Sequence, residues 1–112
     1  MVALSAIEEV AGLIAEKFNP ERIVLFGSYA TGTAGPDSDV DLLVILPFEG
    51  KSFWKSLEIA NLVDPPFAMD LLARRPDDTA KRYALGDPLI KEALDLGKVL
   101  YERNSARVDS QG

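Results

Sequence analysis

The sequence predicts an α/β (α+β) domain: a small mixed β-sheet with helices packed against it. Three observations lead there. Leu4, Ile7, Val10, Ala11, Ile14 and Phe18 recur at helical spacing, with Glu8, Glu9, Glu16 and Lys17 largely on the opposite face. Short β-rich runs at residues 22–26, 39–46 and 67–73 are separated by Gly- and Pro-containing stretches. The connections between those runs differ in length, which argues for strands of both senses. With 112 residues, one compact domain is expected. It should occupy residues 1–103, with the polar residues 104–112 as a frayed tail.

The elements follow in order. The first helix ends before Asn19-Pro20. Residues 22–26, RIVLF, form a first strand that stops at Gly27. Residues 39–46, DVDLLVIL, form the second, closed by Pro47. Its apolar part does not alternate, so both faces should be covered. Residues 51–63 are read as a helix with Phe53, Trp54, Leu57 and Ala60 on its buried side, ended by Asp64-Pro65-Pro66. Residues 67–73, FAMDLLA, form the third strand, with Phe67 in the core. Asp77 and Asp78 cap a short helix through Tyr83. Asp87 as N-cap with Pro88 in the first turn starts another, and Gly97 ends it. Residues 99–102, VLYE, close the domain as a short strand.

Connection lengths give the topology. Twelve residues separate Phe26 from Asp39. That is barely enough for a parallel crossover, so the first two strands should run antiparallel. The longer, helix-containing link to the third strand suits a parallel right-handed crossover. The sheet is then mixed, and Gly27, Ser28, Asp39, Asp41 and Asp70 converge at one end.

Composition narrows the chemistry. There are 12 Lys plus Arg against 18 Asp plus Glu, a net charge of −6. That repels nucleic acid at long range, so a nucleic-acid partner is not expected. A nucleotide could still bind if a cation mediates. The chain has no cysteine and no histidine. Acid–base work near neutral pH therefore falls to carboxylates, Tyr, Lys or metal-bound groups. No apolar run reaches the ~18 residues of a membrane span, and a cytoplasmic location is expected.

Asp39 and Asp41 are two apart on a strand, so their side chains share a face. Asp70, near the same end of a neighbouring strand, can join them. Two carboxylates at about 5 Å repel by roughly 3 kcal/mol at an effective dielectric near 20. That is large beside a folding margin of ~5–15 kcal/mol. A divalent cation relieves it, and an all-oxygen donor set points to Mg²⁺ or Mn²⁺ rather than zinc. Gly27 allows backbone amides to approach an anion closely, and Ser28 adds a hydroxyl. Asp37-Ser38 reads as a turn. A calcium loop would need Gly and Glu where Leu42 and Phe48 stand.

Gly27-Ser28, ten residues, Asp39-Val40-Asp41 and a later strand Asp70 together resemble the signature of the DNA polymerase beta-type nucleotidyltransferase superfamily. The fuller string GSYATGTAGPDSDVDLLV is similar to its minimal nucleotidyltransferase (MNT) family, as is the ending DPLIKEALDLGKVLYE. The resemblance implies the nucleotidyltransferase fold and transfer of AMP from ATP. It implies that Asp39 and Asp41 bind two Mg²⁺ ions, with Mn²⁺ as an alternative. Asp70 would bind the metal on the acceptor side and assist deprotonation of the attacking hydroxyl. Gly27 and Ser28 would hold the terminal phosphates, with Tyr29 and Ser38 as further nucleotide-binding positions. It further implies an antitoxin that adds AMP to a tyrosine of a HEPN-domain partner within a hetero-oligomer. Family members often carry basic residues in the Gly-Ser loop, where this chain has Tyr29 and Thr31. That departure favours the alternative, a non-catalytic binding module that neutralises or completes a partner by contact.

Overall fold

The structure, a computed structural model, describes residues 1–103; the expected tail, residues 104–112, lies outside the described residues. Nine elements follow one another in the described residues: α1 (Leu4–Phe18), β1 (Arg22–Phe26), α2 (Ser28–Thr31), β2 (Val40–Ile45), α3 (Ser52–Val63), β3 (Met69–Arg74), α4 (Pro76–Ala84), α5 (Pro88–Leu96) and β4 (Lys98–Glu102). The four strands make one sheet in the order β3-β2-β1-β4. β1 runs antiparallel to β2 and β4, while β2 and β3 are parallel. The mixed sheet and both strand senses expected from connection lengths are therefore present.

Two apolar clusters, one on each face of the sheet, explain the unbroken hydrophobic run of β2. Leu42 and Val44 face Ile7, Ala11 and Ile14 of α1 and Ile59 and Val63 of α3. Leu43 and Ile45 face Ile90 and Ala93 of α5 together with Val24 and Phe26. Leu42, Leu43 and Val44 are fully buried. Each such side chain contributes roughly 1.5–3 kcal/mol relative to exposure.

Helix ends follow local chemistry. α1 stops where Asn19 takes a left-handed conformation, φ 47°, and its N–H bonds Ala15 O. Pro20 cannot continue the helix. α5 begins as read from the sequence: Asp87 accepts from the N–H groups of Leu89 and Ile90. α4 differs. Its N-cap is Arg75, with Pro76 in the first turn, and Asp77 and Asp78 lie inside that turn. They complement the positive end of the helix rather than cap it.

α3 buries a different face from the one expected. Its buried residues are Ile59 and Val63, with Ser56 turned toward β3, where its Oγ accepts from Ala73 N–H at 2.9 Å. Phe53 and Trp54 are 65% and 63% exposed, and Leu57 is exposed too. The two rings pack edge-to-face on the outside, 5.0 Å between centroids. Phe67 does pack against the core, partly buried. No described helix is long and apolar enough to cross a membrane.

Candidate active site

Strand register sets the site. Asp41 sits directly opposite Asp70 across the parallel β2–β3 pair and opposite Phe26 across the antiparallel β1–β2 pair. Phe26 is the last residue of β1, so Gly27 and α2 begin beside Asp41. Side-chain alternation puts Asp41 on the face that also carries Leu43 and Ile45, and Asp39 stands just before the start of β2. On β3 the same alternation sends Asp70 and Leu72 to that face, while Leu71 and Ala73 enter the opposite cluster. The two acids on neighbouring strands therefore point the same way.

Gly27 has φ 73°, a region that L side chains rarely adopt. A methyl group built there would run into Asp41 Oδ2. Glycine is thus required twice over, for the turn and for the close approach of the Asp41 carboxylate to the backbone. The turn is locked by Ala30 N–H and Thr31 N–H, both bonding Gly27 O, at 3.0 and 3.2 Å.

A cleft of about 480 Å³ opens at this end of the sheet. Its walls include Gly27, Asp41, Asp70, Pro88, Leu89 and Glu92. The Asp41 carboxyl is held above its ordinary value, first by burial and then by the charges of Asp70, Asp39 and Glu92. No Lys or Arg of the described residues lines the cleft. An anionic ligand would meet only negative side chains here unless cations came with it.

The donor chemistry fits hard divalent ions: carboxylates, mutually repelling, with Asp41 desolvated beside a glycine that admits a close neighbour. Among the described residues, no three carboxylates stand close enough together to hold an ion. The register of β2 against β3 brings the backbones of Asp41 and Asp70 side by side, and the side chains of Asp39 and Asp70 are exposed.

The expected site residues divide accordingly. Gly27, Asp41 and Asp70 share the cleft. Asp39 lies outside its walls, close enough for its charge to act on Asp41. Ser28 opens α2 just beyond Gly27. Tyr29 goes elsewhere: it packs against the core, and its hydroxyl accepts from Val2 N–H at 3.0 Å. Ser38 serves the loop, its Oγ accepting from Gly35 N–H at 2.9 Å. Neither is brought to the cleft.

Glu92, Leu89 and Pro88 are cleft residues that sequence reasoning passed over. Their signal was periodic. Ile90 and Ala93 form the buried stripe of α5, so residues 88, 89 and 92 flank it at helical spacing. What sequence could not supply was the position of α5 over the end of β1 and β2.

The profile of the nucleotidyltransferase domain family matches residues 7–100. A protein of Methanocaldococcus jannaschii, provisionally named protein adenylyltransferase MJ1217, is 29% identical over 99 residues, covering 85% of this chain and 94% of that protein. A second from the same organism, provisionally named protein adenylyltransferase MJ1379, is 26% identical over the same shares. Among solved structures, a provisionally assigned nucleotidyltransferase from Sulfolobus solfataricus superposes with a TM-score of 0.66 at 18% identity, over 91% of this chain and 82% of that one. A toxin–antitoxin structure with AMP-PNP superposes with a TM-score of 0.57 at 24% identity, over 93% and 78%. These two likenesses concern the fold.

Proposed function

Since the chain belongs to the nucleotidyltransferase domain family, we propose that it moves AMP from ATP onto a tyrosine hydroxyl of a HEPN-type partner protein. In this reading it is the antitoxin of a toxin–antitoxin pair. The observation that carries the chemistry is the register of Asp41 against Asp70, at a cleft whose other edge is Gly27. The names of the Methanocaldococcus relatives support a protein acceptor. The toxin–antitoxin structure with AMP-PNP supports an adenine nucleotide and a partner chain.

Asp39, Asp41 and Asp70 would hold two Mg²⁺ ions, or Mn²⁺ in their place. When bound, those ions neutralise the phosphate oxygens and stabilise the entering and leaving oxygens of an in-line displacement. The protein's own residues do the rest. The backbone at Gly27 and Ser28 offers N–H groups to the terminal phosphates. Asp70, exposed at the rim, accepts the proton of the incoming tyrosine hydroxyl. A bond forms between that oxygen and the α-phosphorus as the bond from the α-phosphorus to its bridging oxygen breaks. Pyrophosphate departs with the electron pair. No histidine is needed, and the chain has none.

The acidic lining favours one further reading, a binding module that silences its partner by contact alone. Labelled ATP given to the chain with its co-expressed partner separates the two. Label on the partner, abolished by Asp39→Asn with Asp41→Asn, is the expected result. Transfer that survives the double substitution removes these acids from the mechanism. Nucleotide binding with no transfer favours the module.

A further inference from the structure

Among the described residues β3 is an edge strand, with no strand neighbour on one side of its backbone. Ala68 O accepts from Val40 N–H and Arg74 O from Leu46 N–H, both at 3.0 Å. In a parallel pair, alternate residues turn both backbone groups toward the neighbour. The even-numbered residues of β3 therefore face β2, and Met69, Leu71 and Ala73 face outward. Ala73 is closed off. Its N–H donates to Ser56 Oγ, and its carbonyl accepts from Arg74 Nη1 at 2.9 Å. No described residue does the same at Met69 or Leu71. The edge is thus blunted at one end and open on both sides of Asp70.

A groove of about 460 Å³ runs along this open edge. α3 forms its wall through exposed Phe53 and Leu57, and Arg74 stands at its far end. Asp70, Leu71 and Leu72 line both this groove and the cleft at the site, so the two adjoin. Arg74 has no carboxylate partner among the described residues, and it offers guanidinium donors on a chain of net charge −6. The groove therefore presents unpaired strand hydrogen-bonding groups, an apolar wall and a cationic end, and it leads to the carboxylate at the rim of the site.

We infer that the acceptor protein docks by adding an extended segment to the edge of β3 at Met69–Leu71. Its hydroxyl-bearing residue lies opposite Asp70, an apolar neighbour packs on Phe53 and Leu57, and an acidic residue reaches Arg74. Main-chain bonds would supply the affinity and the alternating side chains the selectivity. The hydroxyl and the acid fall four residues apart on one face of the added strand, matching Asp70 and Arg74. The inference rests on the adenylyl-transfer reading for its choice of occupant. Its test uses neither ATP nor a metal, so the two can fail separately.

The probes are two blocked peptides, acetyl-Val-Tyr-Val-Thr-Val-Asp-amide and its reversed order, one for each strand direction. They are titrated into the full chain, uniformly labelled with nitrogen-15. One of them should shift the amide resonances of Met69 and Leu71 and slow their hydrogen exchange. The same peptide N-methylated at the tyrosine and both its neighbours keeps every side chain but loses donors, and should bind at least tenfold more weakly. Phe53→Ala, at an exposed position, should weaken binding severalfold without lowering the melting temperature. Equal binding of the N-methylated peptide, or shifts confined to other parts of the molecule, would overturn the inference. So would a Leu71 amide already protected in the free chain, because the edge would then be filled by a second copy or by residues 104–112.

Discussion

Asp41 is the residue at which fold and proposed chemistry meet. It is half-buried at the end of β2, faces two other aspartates and Glu92, and is held above the usual carboxylate range, chiefly by burial. A folded-state value raised above 3.8 means that the native state holds the proton more tightly than the unfolded chain. The stabilising contribution of the protonated group is complete below that ordinary value and is lost as pH rises through the raised one. Asp41→Asn should therefore raise the melting temperature of the ligand-free protein at neutral pH by a few degrees. The gain over wild type should shrink on acidification, and a pair of melting curves checks both points. Gly27→Ala should do the reverse, destabilising by about 1–3 kcal/mol, because a non-glycine residue is strained at this φ and the added methyl meets Asp41. A denaturant titration reads it. The aspartates and Gly27 were legible in sequence because their spacing implies a shared face and a tight turn. Tyr29 was not. Its neighbour Ser28 stands at the turn, but one helical step swings the ring toward Val2 and the core. Proximity in sequence therefore says little about which side of a short helix a residue occupies.

At the scale of elements, β2 holds the molecule together because it supplies both clusters. Leu43→Ala should cost about 2–5 kcal/mol, measured by chemical denaturation, since Leu43 is fully buried between the sheet and α5. α5 matters for a second reason: it carries Pro88, Leu89 and Glu92 over the cleft. Its start depends on Asp87, whose Oδ1 accepts from Leu89 N–H at 3.0 Å and Ile90 N–H at 3.2 Å. The bond from Ile90 is the main cause that holds this carboxyl below its ordinary value, with Arg82 adding to it. A lowered native value stabilises above the ordinary carboxylate range and is lost as pH falls through it. Asp87→Ala should thus lower the melting temperature at neutral pH, and the difference should shrink as pH falls below the ordinary carboxylate range. Most elements could be read because their boundaries are chemical: Asn19-Pro20, Pro47, Asp87-Pro88 and Gly97. The buried face of α3 could not. Apolar residues occupy both sides of it, and the bulkier Phe53 and Trp54 suggested the wrong one. Only the packing of Ile59 and Val63 on the sheet decides the matter.

The molecule as a whole is small and acidic, with a net charge of −6 and an acidic cleft at one end of its sheet. A triphosphate without cations should therefore bind poorly. ATP with Mg²⁺ at about 100 times its dissociation constant should add about 2.7 kcal/mol of stability, while ATP with a chelator should leave the melting temperature unmoved. Thermal melting with and without the chelator makes the comparison. The proposed chemistry requires that Asp39, Asp41 and Asp70 gather hard ions beside Gly27. Paramagnetic broadening by Mn²⁺ tests it on the free protein, with no partner and no turnover. Titrated Mn²⁺ should broaden the amide resonances of Gly27, Asp41 and Asp70 first, and Asp39→Asn with Asp41→Asn should abolish the effect. Broadening centred on another acidic stretch, such as Glu8-Glu9 or Asp77-Asp78, or broadening unchanged in the double variant, would contradict the account.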